Sequence, residues 1–298
     1  MLQSVVQLFA IMVDNVQEQV EGDNSDRAAH LLSNQQVSPD ERYVQLMTTA
    51  LDTCRTYKPR FGKGVGSGLT LSEFEALYSA DPFYHWIGLD SPLMYAAHKA
   101  AGGITSVYRQ VGIGCQRIFH QMLQDYLGLS PEEATWSYVV GSRKLSLDGR
   151  IETDDVKKLE VKERIREWME GAGRIANLPE HTLQHNIKGC VFEIRQGYKS
   201  KDSKRQNADI ANAANAYVHG YIPVMMLFST QIDGDLMRRY KEHHWVVLIG
   251  RTTGSATESS YAFCRDVIGY DLARFFENYS PRIKSHIESI LKTLLSPQ

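Results

Sequence analysis

A glutamate and an arginine two residues apart sit inside an otherwise apolar run, "GCVFEIRQ" at residues 189–196. Read as a strand, the run puts Val191, Glu193 and Arg195 on one face and Phe192, Ile194 and Gln196 on the other. Buried strands of mixed sheets are apolar on both faces, so a charged pair here needs a reason. One reason is an ion couple at a strand end. The other is metal chemistry: a hard divalent cation takes several oxygen ligands, and a second carboxylate near Glu193 would complete an acid pair. Two acids compete for that place. Asp148, in "SLDGRIE", follows an alternating apolar stretch and precedes a glycine, which would bring it to a sheet rim, although Asp-Gly is also a common hairpin dipeptide. Glu180, in "LPEH", follows a proline and precedes the Glu193 run by a short connection.

Beyond the glutamate the chain becomes basic. Arg195, Lys199, Lys201, Lys204 and Arg205 stand against the single acid Asp202, whereas the whole chain of 298 residues has a formal net charge of -2. Positive charge concentrated beside a strand acid suits an anionic partner, with Lys199, Lys201, Lys204 and Arg205 as phosphate contacts and Gln196, Asn207 and Asn212 as readers of base edges. The alternative is a solvated helix face. Gln116, on an expected scaffold helix, is either a satisfied buried amide or a group near the acids. The four glycines between Gly62 and Gly68 suggest a phosphate loop, but no strand precedes them, and a flexible loop near a polyanion is the better reading. His243 and His244 read as a surface pair, and His181 and His185 lack a third metal partner.

The elements that must hold these groups can be read from punctuation and period. "SPLMYAAHKAAGG" is a helix opened by Ser91-Pro92 and ended by a glycine pair, and a second helix runs from about Thr105 to Tyr126. "TWSYVVGSRKLSLDGRIE" reads as two strands with Leu145, Leu147 and Ile151 inward. An amphipathic helix over 154–174, the Cys190–Gln196 strand, a helix from about Asp202 to Tyr217, the strand "IPVMMLFST", a basic helix and the strand "WVVLIG" follow. The fold class is therefore α/β, a mixed central sheet flanked by helices, with a helical N-terminal region over 1–90 and the remaining core over 91–298. "MLQSVVQLFAIMV" lacks a leading basic segment and reads as an amphipathic helix, and no apolar run reaches the ~18 residues of a membrane span. Four scattered cysteines point to a reduced, cytoplasmic protein without disulfides or zinc.

An acid on one strand, a later strand with acid-x-basic residue, then a helix and another apolar strand resembles the core of the PD-(D/E)XK nucleases over roughly Ser91 to Gly250. The basic stretch after the second strand is similar to that of type II restriction endonucleases, with the ApaLI-type enzymes as the nearest group. This resemblance implies a restriction-endonuclease-like core, Asp148 and Glu193 as ligands of Mg2+, double-stranded DNA as substrate, a homodimer and a six-base palindrome such as GTGCAC. The motif's lysine is missing, since its position holds Arg195; either Arg195 serves electrostatically or a loop lysine, Lys201 above all, reaches in. The literal acid-x-lysine at Asp202-Ser203-Lys204 better suits a helix start. A DNA-binding protein on the same scaffold without cleavage, and a cytosolic enzyme for a small phosphorylated substrate, are the other function classes open to this sequence.

Overall fold

In a computed structural model, the structure describes residues 38–61, 68–140, 143–198 and 203–296. The N-terminal segment 1–37, most of the glycine loop, Lys199 and Lys201 lie outside the described residues.

Helix α1 (Pro39–Asp52) lays Tyr43, Val44, Met47 and Leu51 against α4 (Pro92–Leu127), after the short α2 (Leu71–Ser79) and α3 (Pro82–Trp86). The Ser91 side chain caps α4 by accepting from the Met94 amide, Pro92 stands in the first turn, and Gly128 ends the helix at φ 72°. The glycine pair Gly102-Gly103 does not end it. A Cβ at Gly103 would stand 2.8 Å from Leu294 and one at Gly102 would collide with the Tyr57 ring, so these glycines serve close packing inside one 36-residue helix.

Three strands follow rather than two. β1 (Trp136–Val140) and β2 (Arg143–Leu147) form an antiparallel hairpin, and the chain bends at Asp148 into β3 (Gly149–Glu152), which joins a different sheet. The Asp148-Gly149 dipeptide is thus a transfer point between sheets, not a hairpin turn. Gly149 has no positive φ; its need is space, because a Cβ there would stand 3.0 Å from the Phe119 ring.

The remaining elements are α5 (Leu159–Ile175), α6 (Glu180–His185), β4 (Gly189–Arg195), α7 (Ser203–Val218), β5 (Tyr221–Leu227), α8 (Gly234–Glu242), β6 (Val246–Leu248), α9 (Ser260–Phe263) and α10 (Leu272–Leu295). The main sheet has the order β3-β4-β5-β6, antiparallel at the β3 edge and parallel across β4, β5 and β6. This is the mixed sheet flanked by helices expected from the sequence. Phe192, Ile194, Val224 and Met226 pack one face against Ile118, Phe119 and Met122 of α4. Val191, Met225, Leu227 and Val247 pack the other against Ala213 and Ala216 of α7, Leu236 and Tyr240 of α8, and Trp136 of the hairpin. All four cysteines are free and buried, and among the described residues no helix is long and apolar enough to cross a membrane.

Candidate active site

The two sheet edges run out at different places, and this creates the site. β3 begins at Gly149 opposite Phe192, so the last residues of β4 have no β3 partner. Arg195 turns its carbonyl to the β5 side, where it accepts from the Phe228 amide. By strand alternation the N–H and C=O of Ile194 point to the vacated β3 side. Buried backbone groups must be paired. The Asp148 carboxylate fills this role: its Oδ2 accepts from the Ile194 N–H at 2.8 Å, and Gln116 of α4 reaches the Ile194 carbonyl at 3.5 Å. Continued by one residue, the register places Asp148 opposite Glu193.

Asp148 is held against its ordinary ionisation. Burial pushes its carboxyl up, and the Ile194 N–H, the Gln116 amide and the Arg195 charge oppose that push only in part. Glu193 and Arg195 share the face that meets α7. Arg195 Nη2 lies 2.8 Å from Glu193 Oε1 and 2.8 Å from Oδ2 of Asp209, a residue of α7. The same Asp209 oxygen accepts from the hydroxyls of Tyr198 and Tyr240, and the Arg195 guanidinium stacks 4.2 Å from the Tyr198 ring centroid. Burial opposes the Arg195 charge, but Glu193 and Asp209 outweigh it and raise its pKa further above the ordinary value. Burial likewise raises both phenols, so they stay protonated donors. The Arg195 Nε is buried and has no hydrogen-bond partner among the described residues.

Asp209 was not singled out from the sequence. The signal is nonetheless there: Gln206, Asp209, Ala213 and Ala216 share one buried stripe of α7, and an acid on such a stripe needs a buried cation. Arg239 of α8 was missed as well. Its guanidinium donates to Gln206 Oε1 at 2.6 Å and to Asn207 Oδ1 at 2.7 Å, fastening α8 to the first turns of α7.

The structure links Asp148 to Gln116 and to the Arg195 charge, and Arg195 to Glu193. It leaves Glu180 exposed on the first turn of α6, which leads into the amino end of β4, the end away from Glu193. Gln196 is half-buried just past β4, Asn212 is half-buried on α7, and Asn207 is exposed in the grip of Arg239. Lys204 and Arg205 lie on the first turn of α7, with side chains outside the described ones. His244 is tied through Nδ1 to the Ala176 carbonyl at 2.7 Å, a structural contact. Among the described residues, no group of three or more His, Cys, Asp or Glu side chains is placed to hold a metal ion. Chemically the arrangement offers two carboxylates, a cation beside one of them and a spare N–H donor. Comparison with protein-family models, curated proteins and solved structures gives no match for this chain.

Proposed function

We propose that the chain is a Mg2+-dependent endonuclease of the type II restriction class, acting on double-stranded DNA as a homodimer inside the cell. The observation that carries this reading is the meeting of Asp148 with the carboxyl end of β4 beside Glu193, at the notch where β3 stops. The order of elements supports it: the helix α4, the acid at the start of β3, the acid-x-arginine end of β4, then α7 and a parallel β5.

The donor set suits Mg2+, which keeps several waters and takes one or two carboxylates together with substrate phosphates. Asp148 and Glu193 would hold it, and when bound it would supply Lewis acidity and charge relief at the phosphate. The chain's own groups have separate tasks. The Ile194 N–H and Gln116 hold the Asp148 carboxylate in place. Arg195 orients Glu193 through its guanidinium. Lys199, Lys201, Lys204 and Arg205 contact the backbone of the duplex, while Gln196, Asn207 and Asn212 supply base-edge contacts.

A second reading, DNA binding without cleavage, has one specific observation in its favour: the arginine in the lysine position clamps Glu193 at 2.8 Å. Digestion of plasmid DNA separates the two. Discrete fragments with Mg2+ that vanish with chelator support the nuclease, and a retarded but intact plasmid supports the binding protein.

A further inference from the structure

One face of α4 has no partner among the described residues. Leu93, Ala97, Ala101, Ile104 and Tyr108 are exposed and Gly112 is half-exposed. At 3.6 residues per turn these six positions fall within an arc of roughly 100° and run for about five turns. None of them is charged. The large members are open to solvent, with Leu93 at 80%, Tyr108 at 53% and Ile104 at 40%, and apart from the adjoining helix backbone no described atom lies within 4 Å of where a Cβ on Gly112 would stand. Just before the helix in the chain, Phe83, Trp86 and Ile87 are exposed as well, with Trp86 at 78%.

The stripe is complementary to itself. Turned antiparallel about a two-fold axis at Gly102-Gly103, it sets Leu93 against Gly112, Ala97 against Tyr108 and Ala101 against Ile104. Every layer then pairs a large side chain with a small one, which is what close packing of two helices at ~8–10 Å requires. An isologous contact needs one patch that fits its own copy, and an uncharged stripe sets no like charges against each other.

We infer that a second copy of this chain packs antiparallel on the Leu93–Gly112 face of α4, with the two-fold axis at Gly102-Gly103. The inference deepens the homodimer part of the proposed function but needs no DNA to test. A dimer that does not cut leaves it standing, and a monomer that cuts removes it while sparing the nuclease.

The test uses the full chain. Sedimentation equilibrium should give twice the chain mass for the wild type and the single mass for Ile104→Arg, whose circular dichroism should match the wild type because the side chain lies on the outer face. Mixed under mild oxidant, chains with Ala101→Cys and chains with Ile104→Cys should link through a disulfide. Leu93→Cys with Ile104→Cys should not. The native cysteines are buried and do not compete. A monomeric wild type overturns the inference. So does a dimer untouched by Ile104→Arg, or equal linking of both cysteine pairs.

Discussion

Arg195 is shared between two acids, and Asp209 in turn is shared among a guanidinium and two phenols. Removing one member of a buried ion cluster leaves the rest uncompensated, at a cost of about 3–5 kcal/mol. Asp209→Ala should therefore lose about that much in urea unfolding; a loss below ~1 kcal/mol would mean that water, not Asp209, satisfies Arg195. Asp148 behaves in the opposite sense. Burial holds its carboxyl above the ~3.9 of an unfolded chain, so the folded state keeps this proton more tightly. Stability then falls as pH rises through that window, and the cost persists at neutral pH. Asp148→Asn should melt higher than wild type at neutral pH, with the difference fading below about pH 4. Equal melting at all pH values would place the ionised carboxylate at ease in its site. The acid-x-basic pattern at Glu193 and Arg195 was legible because charge on a buried strand is anomalous. Their partner Asp209 was not, because a single acid in a polar helix looks like any surface residue until the buried stripe is drawn.

At the scale of elements, periodicity served well where one face is buried and failed where packing overrode local preference. The helix expected over Asp202 to Tyr217 is found at Ser203–Val218, and the strands after residue 189 lie where alternation and apolar runs put them. The glycine pair in α4 misled, since each glycine costs a helix about 1 kcal/mol and normally marks an end. Here Leu294 and Tyr57 press against the helix and outweigh the cost. The bend at Asp148 was equally hidden, because β2 and β3 alternate as one strand and only their pairing partners differ. Besides the Asp209 cluster, α7 is held over the site by the grip of Arg239 on Gln206 and Asn207. Arg239→Met should raise amide hydrogen exchange in the first two turns of α7 while leaving β4 and β5 protected. Unchanged exchange in α7 would assign its order to the Asp209 cluster and to Ala213 and Ala216 packing.

For the molecule as a whole, a formal net charge of -2 and a basic run between Arg195 and Arg205 would make the proposed binding to DNA a local electrostatic event. Lys201→Ala and Arg205→Ala should each weaken binding to all sequences alike and lower the slope of log affinity against log salt by about 0.9 per lost phosphate contact. An unchanged slope would put those side chains in solvent. Whether Asp148 and Glu193 act as one acid pair for metal-dependent cleavage is decided by incubating plasmid DNA in Mg2+ with wild type, Asp148→Asn and Glu193→Gln, with DNA binding measured on the same samples. Fragments are expected from the wild type alone, with near-equal binding by all three. An intact plasmid from folded, DNA-bound wild type, or cutting by Glu193→Gln at the wild-type rate, would contradict the pairing.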